Sequence, residues 1–329
     1  MKLEKELIET YLLPLAQNDP AALGFQDDAA LFQPEPGQEL VISKDLSLEG
    51  VHFLSSDTPE NIGFKALAVN ISDMNAKAAQ PRGFFLGLAF PDAPDPSWME
   101  GFCKSLGILG QAFDCPLLGG DITHSKGGLA ISVTIFGTVE AGKMVKRSTA
   151  NEGDRIFVSG TLGDAALGLK LMQESDLQQH WQLTGEETTY LKHRYCHPIP
   201  RGGFNPLIKE FASAAIDVSD GLVSDLENLC RASNKSADVQ INNVPLSSAL
   251  QKAIKVEPAL FSHALGWGDD YEIMATIAAD RVAAFKQECM LNGVPVTEIG
   301  TITVGSQPPQ YFNENGEKQQ LLTSTFEHF

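Results

Sequence analysis

The sequence is poor in basic residues and in cysteine. Lys and Arg number 24 against 42 Asp and Glu, so the 329 residues carry a formal net charge of −18. We expect neither a nucleic-acid partner nor an anionic membrane surface, because both are bound by clusters of Lys and Arg. The five cysteines include no C-x-x-C pair, which argues against a zinc site or a disulfide framework and favours the reducing cytoplasm.

Several catalytic and targeting signatures are also missing. The sequence has no G-x-S-x-G nucleophile elbow, no H-E-x-x-H zinc motif and no G-K-[ST] that would complete a Walker A loop. No apolar run reaches the roughly 20 residues that span a bilayer, and the acidic N-terminal segment lacks the features of a signal peptide. The chemistry therefore has to be sought among the acidic residues.

Carboxylates recur in short polar breaks beside apolar or glycine-rich segments. Six such segments carry Asp27 with Asp28, Asp45, Asp73, Asp121, Asp217 with Asp220, and Asp269 with Asp270. Any one of them has a simpler explanation as a helix cap or a turn residue, and so does Asp164. Together they favour a site in which carboxylate and hydroxyl oxygens bind Mg²⁺, which usually accompanies phosphates. We therefore expect a Mg²⁺-dependent, phosphate-handling enzyme.

Hydrophobic periodicity predicts an α+β protein of two domains rather than a doubly wound sheet. Helices are predicted at 2–16, 59–79, 96–113, 185–195, 247–255 and 279–292, and strands at 40–43, 84–90 and 129–139, with further strands in the second half. Composition changes near 140–154, where we place the domain boundary. We expect Ser219 or Asp220 to cap a helix that follows a short strand. A glycine turn at 160–163 is more readily explained by tight turning than by phosphate binding.

The motifs, in their order, resemble those of the thiamine-monophosphate kinases. This family belongs to an ATP-binding superfamily that includes aminoimidazole-ribonucleotide synthetase. The resemblance covers nearly the whole chain and rests on DDAAL from 27, KDLSLEGVHF from 44, LAVNISD from 67, LLGGD from 117, IDVSDGLVSDL from 216 and GDDYEI from 268. It implies ATP-dependent phosphorylation of thiamine monophosphate to thiamine diphosphate by direct in-line transfer. No general base is expected, because the attacking phosphate oxygen is already ionised at pH 7.

The resemblance also implies roles for single residues. Several Mg²⁺ ions would be bound by Asp28, Ser43, Asp45, Asp73, Asp121, Asp217 and Asp220. ATP would contact Gly120, Asp121, Arg147 and Ser219, with Arg147 and the metal ions stabilising the transfer. Thiamine monophosphate would contact His52 and Asp269.

The implied architecture consists of two α/β sandwich domains. Residues 1–140 would bind ATP and Mg²⁺ and form a barrel with a second copy in a homodimer. Residues 150–329 would form a ferredoxin-like α+β domain that closes over the substrate.

The sequence departs from the family pattern at several metal and substrate positions, of which two bear most on the interpretation of the site. Lys44 stands where the family has Thr, and a Lys ammonium either neutralises phosphate or takes a cation position. Thr323 falls near the expected substrate-stacking Trp, with Phe326 the nearest aromatic residue. The alternatives are a related ATP-dependent enzyme with another anionic acceptor, or a catalytically silent nucleotide-binding paralogue.

Overall fold

The computed structural model describes residues 2–321, so Thr323 and Phe326 lie outside the described residues. The chain divides into two compact units: one comprises residues up to 74 together with 79–143, and the other comprises 75–78 together with the chain from 144 onward. In the part of the chain that the structure describes, no helix combines the length and the apolar character that crossing a bilayer requires.

The first unit is built on a four-stranded mixed sheet. Its helices and strands are α1 (Lys2–Leu7), β1 (Gln38–Leu48), α2 (Pro59–Ala76), β2 (Gln80–Phe90), α3 (Pro96–Ala112), β3 (Leu117–His124) and β4 (Ala130–Glu140). After α1 the helix changes type, through a π-helical turn at Ile8–Leu12 and 3₁₀ turns at Leu13–Ala16 and Pro20–Phe25. The strand order is β1-β4-β2-β3, in which only the β2–β3 pair is parallel.

The two faces of this sheet differ in exposure. Alternate residues of β4, Ile131, Val133 and Ile135, are at most 1% exposed, as period-two alternation over a packed core requires. On β1, by contrast, Leu40, Ile42, Leu46 and Leu48 are 37 to 56% exposed. These four side chains share one face of the strand with Lys44, which lies between Ile42 and Leu46, and they form an exposed, mostly apolar strip.

The second unit contains a seven-stranded sheet. Its elements are β5 (Arg155–Ser159), α4 (Asp164–Gln173), α5 (Leu177–His180), α6 (Gly185–Cys196), α7 (Asn205–Phe211), β6 (Ala212–Val218), α8 (Leu222–Ser233), β7 (Ser236–Gln240), α9 (Ser248–Val256), α10 (Leu260–Gly266), β8 (Glu272–Ile277), α11 (Val282–Leu291), β9 (Val296–Thr303), β10 (Gln310–Phe312) and β11 (Lys318–Gln319). Short 3₁₀ turns occur at Gly202–Phe204, Ile241–Asn243 and Ala279–Arg281. The order is β11-β10-β7-β9-β5-β8-β6, and only the β7–β10 pair is parallel.

Both faces of this second sheet are covered by apolar side chains. On β5, Ile156 and Val158 pack into the cluster that includes residues of α8, whereas Phe157 packs into the cluster with Phe285 of α11. All six residues of β8 are buried. A strand that is buried on both faces loses the polar–apolar alternation of a half-exposed strand.

The predicted two-domain α+β fold is confirmed; both sheets are mixed, and neither closes into a barrel within the described chain. The predicted helices and strands are present with shifted ends. Strand β3 was not predicted, because the pair Gly119-Gly120 interrupts its side-chain pattern. Helix α2 ends at Ala76, short of the predicted 79, and Ala78 adopts a left-handed φ of 56°.

Candidate functional site

In the first unit, β1 and α2 bring a hydroxyl and a carboxylate together. Ser43 Oγ donates a hydrogen bond to Asp73 Oδ2 at 2.5 Å. Asp45 is two residues further along β1, so it lies on the same face of the strand as Ser43. This face therefore presents carboxylate and hydroxyl oxygens, which are the ligand atoms that Mg²⁺ prefers.

Lys44 lies on the opposite face of β1. Its ammonium donates to Ser132 Oγ at 2.7 Å, on the neighbouring strand β4. Because successive side chains of a strand alternate between faces, Lys44 points away from the side of β1 that carries Ser43 and Asp45. The structure thus does not put this ammonium next to the Ser43–Asp73 pair.

A cavity of about 300 Å³ lies between the N-terminal helical segment and β3. Asp27, Asp28, Gly120 and Asp121 are among the residues that line it. Asp27 Oδ1 accepts the Asp28 N–H at 2.8 Å, so this carboxylate shapes its own turn. The exposed side chains of Glu4, Asp28 and Asp121 remain as the acidic lining, together with the backbone at Gly120.

Only glycine fits at position 120. A Cβ built there would lie 1.9 Å from the carbonyl oxygen of Leu86 on β2. The LLGGD segment thus follows β2 at close range and places Asp121 opposite Gly87 in the register of the two strands.

His52 is bound to the turn that follows β1. Its Nδ1 accepts the Leu48 N–H at 3.0 Å, and its carbonyl oxygen accepts Lys65 Nζ at 3.1 Å. The first contact orients the imidazole and the second holds the His52 backbone, but His52 is not among the residues that line the cavity.

In the second unit, the predicted cap of α8 is wrong. The residue before the helix is Gly221 with a φ of 97°, and neither Ser219 nor Asp220 supplies a side-chain cap. Instead, Asp225 in the first helical turn accepts the Asp220 N–H at 2.9 Å. The carboxylate that shapes this turn comes from inside the helix, as in the reverse half of a capping box.

Three carboxylates crowd at this turn. Burial, together with the charges of Asp220 and Asp217, raises the pKa of Asp225 well above its usual range. Like charges so close together cost energy unless a proton or a cation neutralises one of them. This donor set fits a hard cation, although within residues 2–321 no group of three or more His, Cys, Asp or Glu side chains has the geometry of a metal site.

The turn at 268–271 is packed directly against the turn at 217–220. The Asp269 N–H donates to the Ser219 carbonyl and the Tyr271 N–H to the Val218 carbonyl, both at 2.8 Å. A Cβ on Gly268 would lie 1.7 Å from the Ser219 oxygen, so the approach requires glycine. The structure therefore brings Asp269, a predicted substrate contact, beside Ser219, a predicted ATP contact.

Arg147 lies in the loop that precedes β5. Its side chain is exposed, and its carbonyl oxygen accepts Ser233 Oγ at 2.9 Å. The backbone contact holds the loop against the end of α8, and the guanidinium faces solvent.

Sequence reasoning missed a buried network around Arg194 in the second unit. It contains Asp164 and Asp270, which were interpreted as turn or cap residues, and Glu272. Asp270 is indeed a cap, but for helix α4, which lies more than 100 residues away in the chain. No local pattern signals such a distant partner.

Two family models match the chain in succession: "AIR synthase related protein, N-terminal domain" at 26–139 and "AIR synthase related protein, C-terminal domain" at 151–308. The thiamine-monophosphate kinase of Caulobacter vibrioides is 37% identical over 313 residues, which cover 94% of this chain and 86% of that protein. The Escherichia coli K12 enzyme of the same name is 37% identical over 308 residues, covering 93% and 92%. The chain belongs to the thiamine-monophosphate kinase family.

Solved structures agree with this assignment. The thiamine-monophosphate kinase of Stenotrophomonas maltophilia K279a has a TM-score of 0.83 at 36% identity and covers 97% of each chain. AaThiL complexed with AMPPCP and TMP has a TM-score of 0.76 at 30% identity, covering 90% of this chain and 89% of that one. The resemblance stated from the motifs is thereby confirmed, and the chain is a phosphotransferase whose acceptor is a phosphate group.

Proposed function

We propose that this protein transfers the γ-phosphoryl group of ATP to thiamine monophosphate and so forms thiamine diphosphate. The observation that carries the proposal is the contact of the Asp269 turn with the Ser219 turn, in a member of this family. A relative, AaThiL, has been solved with both AMPPCP and TMP. The acceptor and the donor thus have a precedent within the family.

The chain's residues suit a reaction between two polyanions. The acceptor oxygen is already ionised, so positioning and charge neutralisation are required rather than a base. Mg²⁺, when bound, would neutralise the phosphates and stabilise the charge of the transferred group. We assign its ligands to Asp28, Ser43, Asp45, Asp73 and Asp121 in the first unit and to Asp217 and Asp220 in the second.

The remaining assignments follow from position and chemistry. Gly120 offers backbone groups at a cavity, and Arg147 offers an exposed guanidinium that can bind phosphate oxygens in a bidentate manner. Together with Asp121 and Ser219, they are assigned to ATP. His52 and Asp269 are assigned to thiamine monophosphate.

We also propose a homodimer in which the first unit's sheet forms a barrel with its copy, and a second unit of the ferredoxin-like type that covers the substrate. The exposed strip of Leu40, Ile42, Leu46 and Leu48 supports the dimer, because soluble monomers rarely expose adjoining large apolar side chains. Ile42→Asp should convert a dimer to a monomer in sedimentation, whereas Val304→Asp, at an exposed apolar residue of the second unit, should not. A wild-type monomer would refute the dimer.

The decisive assay measures thiamine diphosphate formed from thiamine monophosphate, ATP and Mg²⁺, with thiamine as a control acceptor. We expect diphosphate from the monophosphate and none from thiamine. ATP consumption with another phosphorylated acceptor only would favour a related enzyme of different specificity. Nucleotide binding without any transfer would favour a silent paralogue.

A further inference from the structure

The second unit contains a buried ionic network to which the proposed reaction assigns no role. The carboxylates of Asp164, Asp270 and Glu272 are at most 1% exposed, and Arg194 is 3% exposed. Burying an ion costs several kcal/mol unless partners repay its lost hydration. The hydrogen bonds of these groups show what they hold in place, and within the described residues Arg194 makes its hydrogen bonds through Nη2, whereas Nε and Nη1 have no hydrogen-bond partner.

Glu272, the first residue of β8, joins two arginines to the end of β5. It accepts hydrogen bonds from Arg194 Nη2 at 2.9 Å, Arg201 Nε at 2.6 Å and Ser159 Oγ at 2.6 Å. Ser159 Oγ in turn accepts the Ile273 N–H at 2.9 Å. These hydrogen bonds therefore connect the end of β5 to the start of β8.

Asp164, the first residue of α4, forms the second end of the network. Its carboxylate accepts Thr161 Oγ1 at 2.6 Å, Tyr190 OH at 2.8 Å and Ser247 Oγ at 2.5 Å. Arg194 Nε lies 3.9 Å from the same carboxylate. Arg194 thus links α6 to the start of α4 as well as to Glu272.

Asp270 connects the network to the 268–271 turn. Its carboxylate accepts the N–H of Gly163 at 2.6 Å and that of Ala165 at 3.3 Å, and its carbonyl oxygen lies 3.4 Å from Arg194 Nη2. The first N–H groups of α4 are therefore already occupied. Gly160 and Gly163 have φ angles of 54° and 84°, which agrees with the prediction that these glycines serve a tight turn.

The 268–271 turn needs such support because its backbone is strained. Asp269 and Tyr271 have φ angles of 70° and 51°, in the left-handed region that residues with a Cβ seldom adopt. Each such residue costs about 1 kcal/mol or more and persists only where its surroundings enforce it. Hydrogen bonds to Ser219 and Val218 hold the main chain of the turn, and the bonds of the Asp270 side chain tie the same turn to the start of α4.

We propose that Arg194 and Asp270 are positioning residues for the acceptor. They hold the strained turn so that Asp269 stays beside Ser219 and meets thiamine monophosphate in a fixed orientation. This inference rests on the proposed function and deepens it. Arg194 and Asp270 are buried and do not touch the substrate. In this proposal they pre-organise the turn that sets the affinity for the acceptor and its alignment.

The charge balance of the network agrees with this role. Three buried carboxyl groups face the guanidinium groups of Arg194 and Arg201. Burial raises the pKa of Asp270 to about 8, so this carboxyl keeps its proton at neutral pH. The guanidinium groups of Arg194 and Arg201 thus face acidic side chains within the same unit, which is what a buried cation requires.

The test compares Asp270→Ala and Arg194→Gln with the wild type in steady-state kinetics for each substrate. We expect kcat/KM for thiamine monophosphate to fall about 10- to 100-fold while KM for ATP changes less than threefold. Asp270→Asn should recover most of the loss, because its amide oxygen can still accept the Gly163 N–H. A merely structural role would not produce this split between substrates or this rescue.

Two control variants separate positioning from loss of stability. Phe285→Leu removes a buried ring from the other face of the sheet, and Arg281→Gln breaks an exposed ion pair with Glu210 that is 2.7 Å long. If Phe285→Leu lowers the free energy of unfolding as much as Asp270→Ala does, it should still leave KM for ATP and KM for thiamine monophosphate unchanged. An equal fall in its kcat/KM for thiamine monophosphate, or unchanged kinetics in Asp270→Ala, would overturn the proposal. If the alanine variant does not fold, Arg194→Gln is compared with Arg194→Lys, and the same split between the two substrates is expected for Arg194→Gln.

Direct binding distinguishes this proposal from the proposed function. Calorimetric titration with thiamine monophosphate, in the presence of a non-hydrolysable ATP analogue, does not require turnover. Binding that Asp270→Ala weakens at least tenfold supports the positioning role even if the wild type forms no diphosphate. Wild-type binding that neither variant changes would refute the positioning role alone, and a wild type that does not bind thiamine monophosphate would refute both.

Discussion

Asp269 and Asp270 are neighbours in the sequence and have opposite surroundings. Asp269 is partly exposed and borders the Ser219 turn, whereas Asp270 is 1% exposed and accepts the N–H groups that begin α4. The same contrast separates Asp28 and Asp121, which line an open cavity, from Asp164, which is fully buried among hydroxyl groups and Arg194. In this chain, buried acids with guanidinium partners hold the scaffold, and acids open to solvent are available to ligands.

The largest effect is expected where an accessible carboxylate loses its charge. Asp45→Asn should lower kcat at least about 100-fold, because it removes a proposed metal ligand and its stabilisation of transferred charge. The free energy of unfolding without ligands should stay the same or rise, since the change relieves repulsion among acids. Kinetics together with urea denaturation measure both quantities, and Asp92→Asn, in an exposed loop, is the matched control. Collapse of the ligand-free protein would mean that Asp45 is structural.

Substitution in the buried network around Arg194 should instead lower the free energy of unfolding. Arg194→Met should lower the free energy of unfolding by about 3–5 kcal/mol, because it leaves buried Asp164 without its guanidinium partner and Glu272 with Arg201 alone. The exposed pair of Arg281 and Glu210 should contribute no more than about 1 kcal/mol when Arg281→Met breaks it. Urea denaturation of both variants measures the difference. Equal losses of unfolding free energy would contradict the distinction between the buried network and exposed ion pairs.

The pH dependence of stability should also carry the signature of Asp270. Its pKa is about 8 in the folded state against a usual 3.8, so the folded protein binds more protons than the unfolded chain between these values. This contribution to stability is therefore complete below about pH 4 and is lost as the pH rises through about 8. Asp270→Asn should flatten the pH profile of the free energy of unfolding in that range. An unchanged slope would show that Asp270 is ionised in the fold.

The smallest effect is expected at Asp27. Its carboxylate bonds the next N–H in its own turn, so Asp27→Asn should change kcat/KM less than about twofold. Asp28→Asn should reduce the same quantity about tenfold or more, because Asp28 is the proposed metal ligand. Similar kinetics for the two variants would contradict the different roles assigned to Asp27 and Asp28.

The sequence predicted the helices and strands well because their apolar periodicity is local. The motifs also predicted the family, and the structure brings Asp28, Gly120 and Asp121 to one cavity and Asp269 to Ser219. Strand β3 escaped notice because glycines carry no side-chain pattern. The roles of Asp164 and Asp270 were not predicted because their hydrogen-bond partners are distant in the sequence. Only the tertiary fold brings those partners close.

The central claim is tested most directly by following the label of [γ-³²P]ATP with thiamine monophosphate, Mg²⁺ and the purified protein. The account predicts that label appears in thiamine diphosphate and that one ADP forms for each diphosphate. ADP formation without labelled thiamine diphosphate, or transfer of the label only to another acceptor, would contradict it.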